Sequence, residues 1–573
     1  MIARLLSPAG PLLCLVLLFP ACQSSGDRGA DLPTGEAATR AAHEEVGFDV
    51  DHYSLDVTLD PEARAIEGRC AIRFVATREG LTAVRLDLEE LRVSDAVDER
   101  GQRLNFMQSN GSVKIELRSP LEVGDLGEVE VTYGGTPRKG VWFVGDDGTT
   151  GPTHVFTQGE CEDARFWFPC RDVPADRATH DLNVTMPADW RSVAGGERNG
   201  ESTSREQRSE SWSMRFPLPT YLFTLVAGEE MERYEDSWED VPLAFVSPKE
   251  HSGWLTESLA DTDEALAFLE DFAGREYPFT KYTQCCVEDF PFGGMENASA
   301  TTLTVAALGD ERYLRDTPAT SLVVHEAAHQ WFGDLLTCAT WPHIWLNEGF
   351  ATYCALLFVE ETEGRDAFLT ELRDIQEAYI RGDSGANRRA IVSDVYKDPI
   401  DLFFGGHTYQ GGASRLHLLR HVLGEEDFRA GVHRYVSLHE NRGVVTSDLR
   451  RAFEEASERD LERFFDQWLL SPGHPVFETR WRWDAQGSRV LLTVDQVQDV
   501  GDGTPTAFEA PVDIEIRTQS DATLHRVQLT KRRHLFQIPV DPALDGEPLW
   551  VRFDAQGALP KEHYAKKSPE EWV

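Results

Sequence analysis

The sequence predicts an α+β multidomain protein, and three observations carry that prediction. Residues 47–233 alternate apolar and polar side chains at period two, residues 234–472 switch to apolar spacings of three and four, and alternation returns beyond Ser471-Pro472-Gly473. The expected order is an N-terminal β-sandwich or saddle, a mixed and largely helical domain, and a small C-terminal β-sandwich over 473–573. A chain of 573 residues has material for about three to four domains, and 41% hydrophobic content with 10% aromatic residues excludes global disorder.

In chain order, residues 1–21 carry one cation, Arg4, then an apolar run ending at the small residue Ala21. That is the shape of a secretory signal. With Cys22 next, the stretch resembles a bacterial lipoprotein signal, which implies lipidation of Cys22 and an exported, envelope-anchored protein. Residues 22–46 are polar and are expected to form a flexible tether. YSLDVTLD (53–60), CAIRFVA (70–76), LTAVRLDL (81–88), SVKIELR (112–118) and EVEVTYGG (128–135) read as strands, with TYLFTLVAG (220–228) as a last, more buried one. Helices are expected over 257–277, 317–336, 343–362, 365–380, 411–422 and 446–470, then strands over 489–498, 510–518 and 524–530. No other stretch is long and apolar enough to span a bilayer.

Charge and cysteine content exclude further classes. With 98 acidic against 56 basic residues the net charge is −42, which argues against a large nucleic-acid interface. Nine cysteines in this length are no disulfide scaffold. Of those left after Cys14 and Cys22, Cys161 and Cys170 either pair across a loop or remain buried thiols, and none is assigned to metal.

The chemistry concentrates in His325-Glu326-Ala327-Ala328-His329, inside the proline-free stretch SLVVHEAAHQWFGDLL. On a helix, two histidines four apart project from one face and can share one cation. Zinc suits the pair, because catalytic zinc uses three protein ligands and keeps a position for water. Glu326 is then placed to take a proton from that water. Trp345-Leu346-Asn347-Glu348-Gly349-Phe350-Ala351 supplies a third ligand, Glu348, with eighteen residues between it and His329. Two helices joined through TCATWPH (337–343) can bring that carboxylate beside both imidazoles, and its apolar surroundings make an unpaired charge expensive.

These residues, with several further motifs, resemble the aminopeptidase N family, gluzincin metallopeptidases that also include leukotriene hydrolase. Gly293-Gly294-Met295-Glu296-Asn297 is similar to the family's GxMEN signature. His329-Gln330-Trp331-Phe332-Gly333-Asp334 continues the zinc helix, with Asp334 where Asn is commoner. Thr157-Gln158-Gly159-Glu160 and Ala164-Arg165-Phe166-Trp167-Phe168-Pro169-Cys170-Arg171-Asp172 resemble the family's amino-terminal segment. The resemblance implies a thermolysin-like catalytic domain over 234–472, one Zn2+ per chain, and release of the N-terminal residue from peptides with a free amino terminus. It implies that Glu160 and Glu296 bind the substrate α-ammonium, with Gly293, Gly294, Met295 and Gln158 lining the pocket. Tyr409, in His407-Thr408-Tyr409-Gln410-Gly411-Gly412, resembles the YxKG segment whose Tyr stabilises the oxyanion, although Gly411 replaces Lys. The expected enzyme is a monomer with peptide partners, no nucleic acid, and membrane contact only through the lipid.

Two other readings stand beside this one. Epoxide hydrolysis, as in the leukotriene hydrolase branch, is disfavoured by Glu160, where that branch carries an amide. A non-catalytic binding protein is disfavoured because His325, Glu326, His329, Glu348 and Tyr409 are all present. The chain is also expected to lack the large helical domain of many family members, leaving a more open site.

Overall fold

The computed structural model describes residues 33–145, 151–541 and 547–566. The signal at 1–21 and the lipidation site Cys22 lie outside the described residues. An N-terminal β-rich region precedes a helix-rich region and a C-terminal pair of sheets.

The first region is organised by a seven-stranded sheet. Its strand Phe48–Asp60 pairs antiparallel with Ala65–Ala76 and parallel with Ala178–Pro187. Alternation along it buries Tyr53, Leu55 and Val57 on one face. Tyr53 meets Phe168 and Phe223 edge-on, with ring centroids 5.6 and 5.8 Å away. The expected tether instead ends in a helix, Gly35–Val46. Its start is held by one local and one distant partner: Thr34 caps the Ala37 N–H at 3.1 Å, and the Gly35 N–H donates to Asp448 Oδ2 at 2.7 Å.

The expected strand 220–228 is also shorter. Pro219 leads into a single 3-10 turn, Thr220–Leu222, and only Leu225–Gly228 is extended. The hairpin Met231–Trp238 and Val241–Pro248 follows, and the second of these strands pairs parallel with Tyr282–Val287 in a five-stranded sheet. The boundary expected at 233/234 therefore falls inside a strand.

Helices Thr320–His329, Arg365–Gly382 and Gly412–Leu423 each pack against Trp345–Thr362. The first stops at His329 rather than 336, and Gly333, at φ +150°, sits in the turn that follows. The helix expected over 446–470 is two, Thr446–Ser457 and Glu462–Trp468, separated where Glu458 turns left-handed at φ 55°. A helix absent from the sequence reading, Glu425–His439, begins after Gly424 with three acidic residues in its first turn.

At the C-terminal end a four-stranded and a three-stranded sheet meet through Phe477 and Phe553, whose centroids are 5.0 Å apart. The seven described cysteines are free and buried, so Cys161 and Cys170 do not pair. Among the described residues no helix is long and apolar enough to cross a membrane.

Candidate active site

Two helices bring the metal-type ligands together. His325 and His329 lie one turn apart on Thr320–His329, their rings 4.7 Å apart. Glu348 occupies the first turn of Trp345–Thr362, where the helix end favours a carboxylate. The Nε2 atoms of the two histidines are 3.1 Å apart, and Glu348 Oε2 lies 3.2 Å from His325 Nε2 and 3.3 Å from His329 Nε2. Three ligands about 2.0–2.1 Å from one tetrahedral zinc would be about 3.3 Å apart, so this donor set fits the ion. The far nitrogen of His329, Nδ1, donates to the Phe332 carbonyl at 3.0 Å, which leaves Nε2 as the nitrogen facing inward.

Burial opposes charge on Glu348, but the two imidazoles outweigh it and hold its pKa at about 2. Burial likewise opposes protonation of His329, yet Glu296, Glu348 and Glu326 hold its pKa well above the ordinary value.

A carboxylate wall faces this triad. Glu326 follows His325 on the same helix and is buried with Oε2 unpartnered. Burial pushes its pKa well up, and Glu296 and Glu348 add to that. Gly294 pairs with Leu303 directly beside it. A Cβ on Gly294 would overlap the Glu326 carboxylate and lie 2.7 Å from its Cγ, so the missing side chain is what lets Glu326 lie in this position.

Glu296 is fixed from behind by Gln330, which donates to the Glu296 carbonyl at 3.0 Å and accepts from the Ser299 N–H at 2.8 Å. Oε1 of Glu296 and Oε1 of Glu160 lack partners. Burial raises both pKa values, that of Glu296 to about 7 and that of Glu160 well beyond the ordinary range. Gln158 completes this side by donating to Met295 Sδ at 3.4 Å.

Tyr409 enters from a π-helical turn, His407–Gly411, that runs into Gly412–Leu423. Gly412 and Gly349 make this approach close, since a Cβ on Gly349 would sit 2.9 Å from Gly412 Cα. The Tyr409 ring lies 6.1 Å from that of His325. Burial and the surrounding glutamates raise its pKa well above 10, so the phenol remains a donor at neutral pH.

Every site residue named from the sequence within the described chain lines one cleft of about 550 Å3: Gln158, Glu160, Gly293, Gly294, Met295, Glu296, His325, Glu326, His329, Glu348 and Tyr409. Asp334, at the unusual position, is buried outside the cleft lining, and burial pushes its pKa well up.

Sequence reasoning missed the apolar rim of Phe292, Leu322, Ile400, Phe403 and Phe404. Two signals were available for it: Phe292 directly precedes the GxMEN segment, and Asp398-Pro399 opens the short turn carrying Ile400 and Phe403. It also missed the buried support behind Tyr409. There Asp383 accepts from His407 Nε2 at 3.1 Å and from His474 Nδ1 at 2.6 Å.

A model of the peptidase family M1 domain matches residues 257–468, and one of the peptidase M1 N-terminal domain matches residues 49–222. The chain belongs to the peptidase M1 family. Peptidases of the M1 family are zinc-dependent, in keeping with the triad above.

Among curated M1 relatives, tricorn protease-interacting factor F2 of Thermoplasma acidophilum is 30% identical over 374 residues, covering 64% of this chain and 46% of that protein. A probable aminopeptidase 2 of Sulfurisphaera tokodaii is 27% identical over 368 residues, covering 63% of this chain and 46% of the relative. Aminopeptidase B of Mus musculus is 26% identical over 478 residues, covering 75% and 70%. The chain thus spans about half the length of the first two.

Proposed function

We propose that this chain is a zinc aminopeptidase that hydrolyses the first peptide bond of substrates with a free amino terminus. The observation that carries the reading is the convergence of His325 Nε2, His329 Nε2 and Glu348 Oε2 within 3.1–3.3 Å, faced by the unpartnered carboxylate oxygens of Glu160, Glu296 and Glu326.

His325, His329 and Glu348 would hold the ion, which supplies Lewis acidity and lowers the pKa of water in the cleft. Glu326 takes a proton from the attacking water and returns it to the departing amine. The phenol of Tyr409 donates to the oxyanion as it forms. Glu160 and Glu296 accept hydrogen bonds from the α-ammonium, whose charge relieves two buried acceptors. That contact fixes the register at one residue and makes the enzyme an exopeptidase. Apart from these groups, the cleft is lined by Gln158, Ser321, glycine and apolar side chains.

We further propose export, anchoring through Cys22, and action as a monomer on peptides; the sequence of residues 1–22 and the net charge of −42 support this part.

The test is a panel of aminoacyl-coumarin amides with matched N-acetylated peptides, each with and without chelator. Cleavage of free amino termini only, abolished by chelator and restored by zinc, is expected. Equal cleavage of acetylated and free substrates would overturn the ammonium clamp, and full activity without metal would overturn the zinc site.

A further inference from the structure

Outside the cleft lining, a second group of metal-type ligands converges. His43 Nε2 lies 3.3 Å from Asp49 Oδ1 and 3.9 Å from Asp176 Oδ2. The three belong to separate pieces of chain: the helix Gly35–Val46, the strand Phe48–Asp60, and the loop before Ala178–Pro187. The Asp176 side chain is fully buried at 0% exposure, and neither of its carboxylate oxygens has a hydrogen-bond partner. The Val50 amide faces that carboxylate without completing a hydrogen bond.

The Ala175 backbone carbonyl engages one side of the His43 ring, while Nε2 is buried, unpartnered and turned toward both carboxylates. His43 Nε2 and both Asp176 oxygens are thus buried polar atoms without a hydrogen-bond partner. Such unpaired acceptors are costly. Arg171 acts on both groups, but it makes no ion pair with Asp176 within 4.0 Å. Asp49 is 41% exposed at its side chain, which leaves a path for an ion and room for water as a further ligand.

We propose that His43, Asp49 and Asp176 form a second divalent-metal site, distinct from the catalytic triad, that fastens the Gly35–Val46 helix to the N-terminal sheet. One imidazole and two carboxylates suit zinc better than calcium or magnesium, which take oxygen ligands alone. The site is structural: its residues do not line the cleft.

The experiment is metal analysis of the full chain purified without chelator and equilibrated with zinc alone. About two equivalents per chain are expected for the wild type, and about one for His43→Gln or Asp49→Asn with peptidase activity retained. Proteolysis between residues 33 and 47 should also become at least tenfold faster in those variants, or in wild type stripped of its weaker-bound ion. Wild-type protein that binds one equivalent, lost on His325→Ala and unaffected by His43→Gln, would overturn this site while leaving the catalytic reading intact. If both N-terminal variants fail to fold, anomalous scattering at the zinc edge from wild-type crystals decides, and no peak between His43 and Asp176 overturns the proposal.

Discussion

The two walls of the cleft carry the same side chain in opposite states. On one wall Glu348 sits between two imidazoles, its pKa held at about 2. On the other, Glu160, Glu296 and Glu326 each have an oxygen without a partner, and burial drives their pKa values up. Four carboxylates in about 550 Å3, three of them buried and the fourth, Glu160, partly so, would be untenable as four anions. The difference assigns the work. The paired glutamate belongs to a fixed coordination set, and the unpaired ones hold unmet demand for protons and cations that arrive with the substrate.

The sharpest way to break the contrast is to neutralise one member of the unpaired wall without changing its shape. Glu326→Gln keeps the helix and the triad but cannot accept a proton. The expectation is normal zinc content with kcat lower by about 10²–10⁴-fold, the range for loss of general-base catalysis. A zinc-loaded variant with near-normal turnover would remove Glu326 from the mechanism. Glu296→Ala should act differently, because its carboxylate is assigned to binding. Its loss should cost about 2–4 kcal/mol in kcat/KM on free amino termini, seen chiefly in KM, with acetylated peptides still uncleaved.

A smaller effect tests position rather than charge. In Gly294→Ala the new methyl group overlaps the Glu326 carboxylate, which can swing aside at little cost to the fold. The thermal midpoint should hardly move, while kcat falls by about 10²-fold, as for misplacement of a reacting group by about 1 Å. Equal losses of stability and activity would show that the glycine serves packing instead.

The two walls were also unequally legible. His325 and His329 could be read from the residues themselves, because a four-residue spacing on a proline-free helix puts both on one face, and Glu348 from its apolar surroundings. Glu160, Glu296 and Tyr409 came only through family resemblance, since a lone residue in a loop or turn leaves no periodicity. The Asp383 support joins residues 24 and 91 positions apart, which no local pattern encodes. The Gly35–Val46 helix was hidden for the same reason: the Gly35 amide is answered by Asp448, 413 residues away. The close approach of Gly349 and Gly412 has no signature in either segment alone.

The paired wall rests on a base that should respond to pH without touching the chemistry. His343 lies five residues before Glu348, and its Nδ1 accepts from the Thr446 N–H at 3.2 Å. Thr446 Oγ1 in turn accepts from Trp345 Nε1 at 2.9 Å, at the start of the Glu348 helix. The acceptor role requires neutral imidazole, and burial lowers the His343 pKa from 6.5 to about 4. The unfolded chain therefore takes up a proton near pH 6.5 that the folded chain refuses until about pH 4. Stability from this residue is complete above pH 6.5 and is lost as pH falls through that window, by about 3 kcal/mol at most. Urea unfolding of wild type and His343→Asn at pH 7.5 and 4.5 measures it. The wild type should lose more stability than the variant between the two, with the difference near that figure. Parallel losses would mean that acid acts elsewhere, and that the Glu348 helix is seated by Trp345 and Thr446 without help from a neutral histidine.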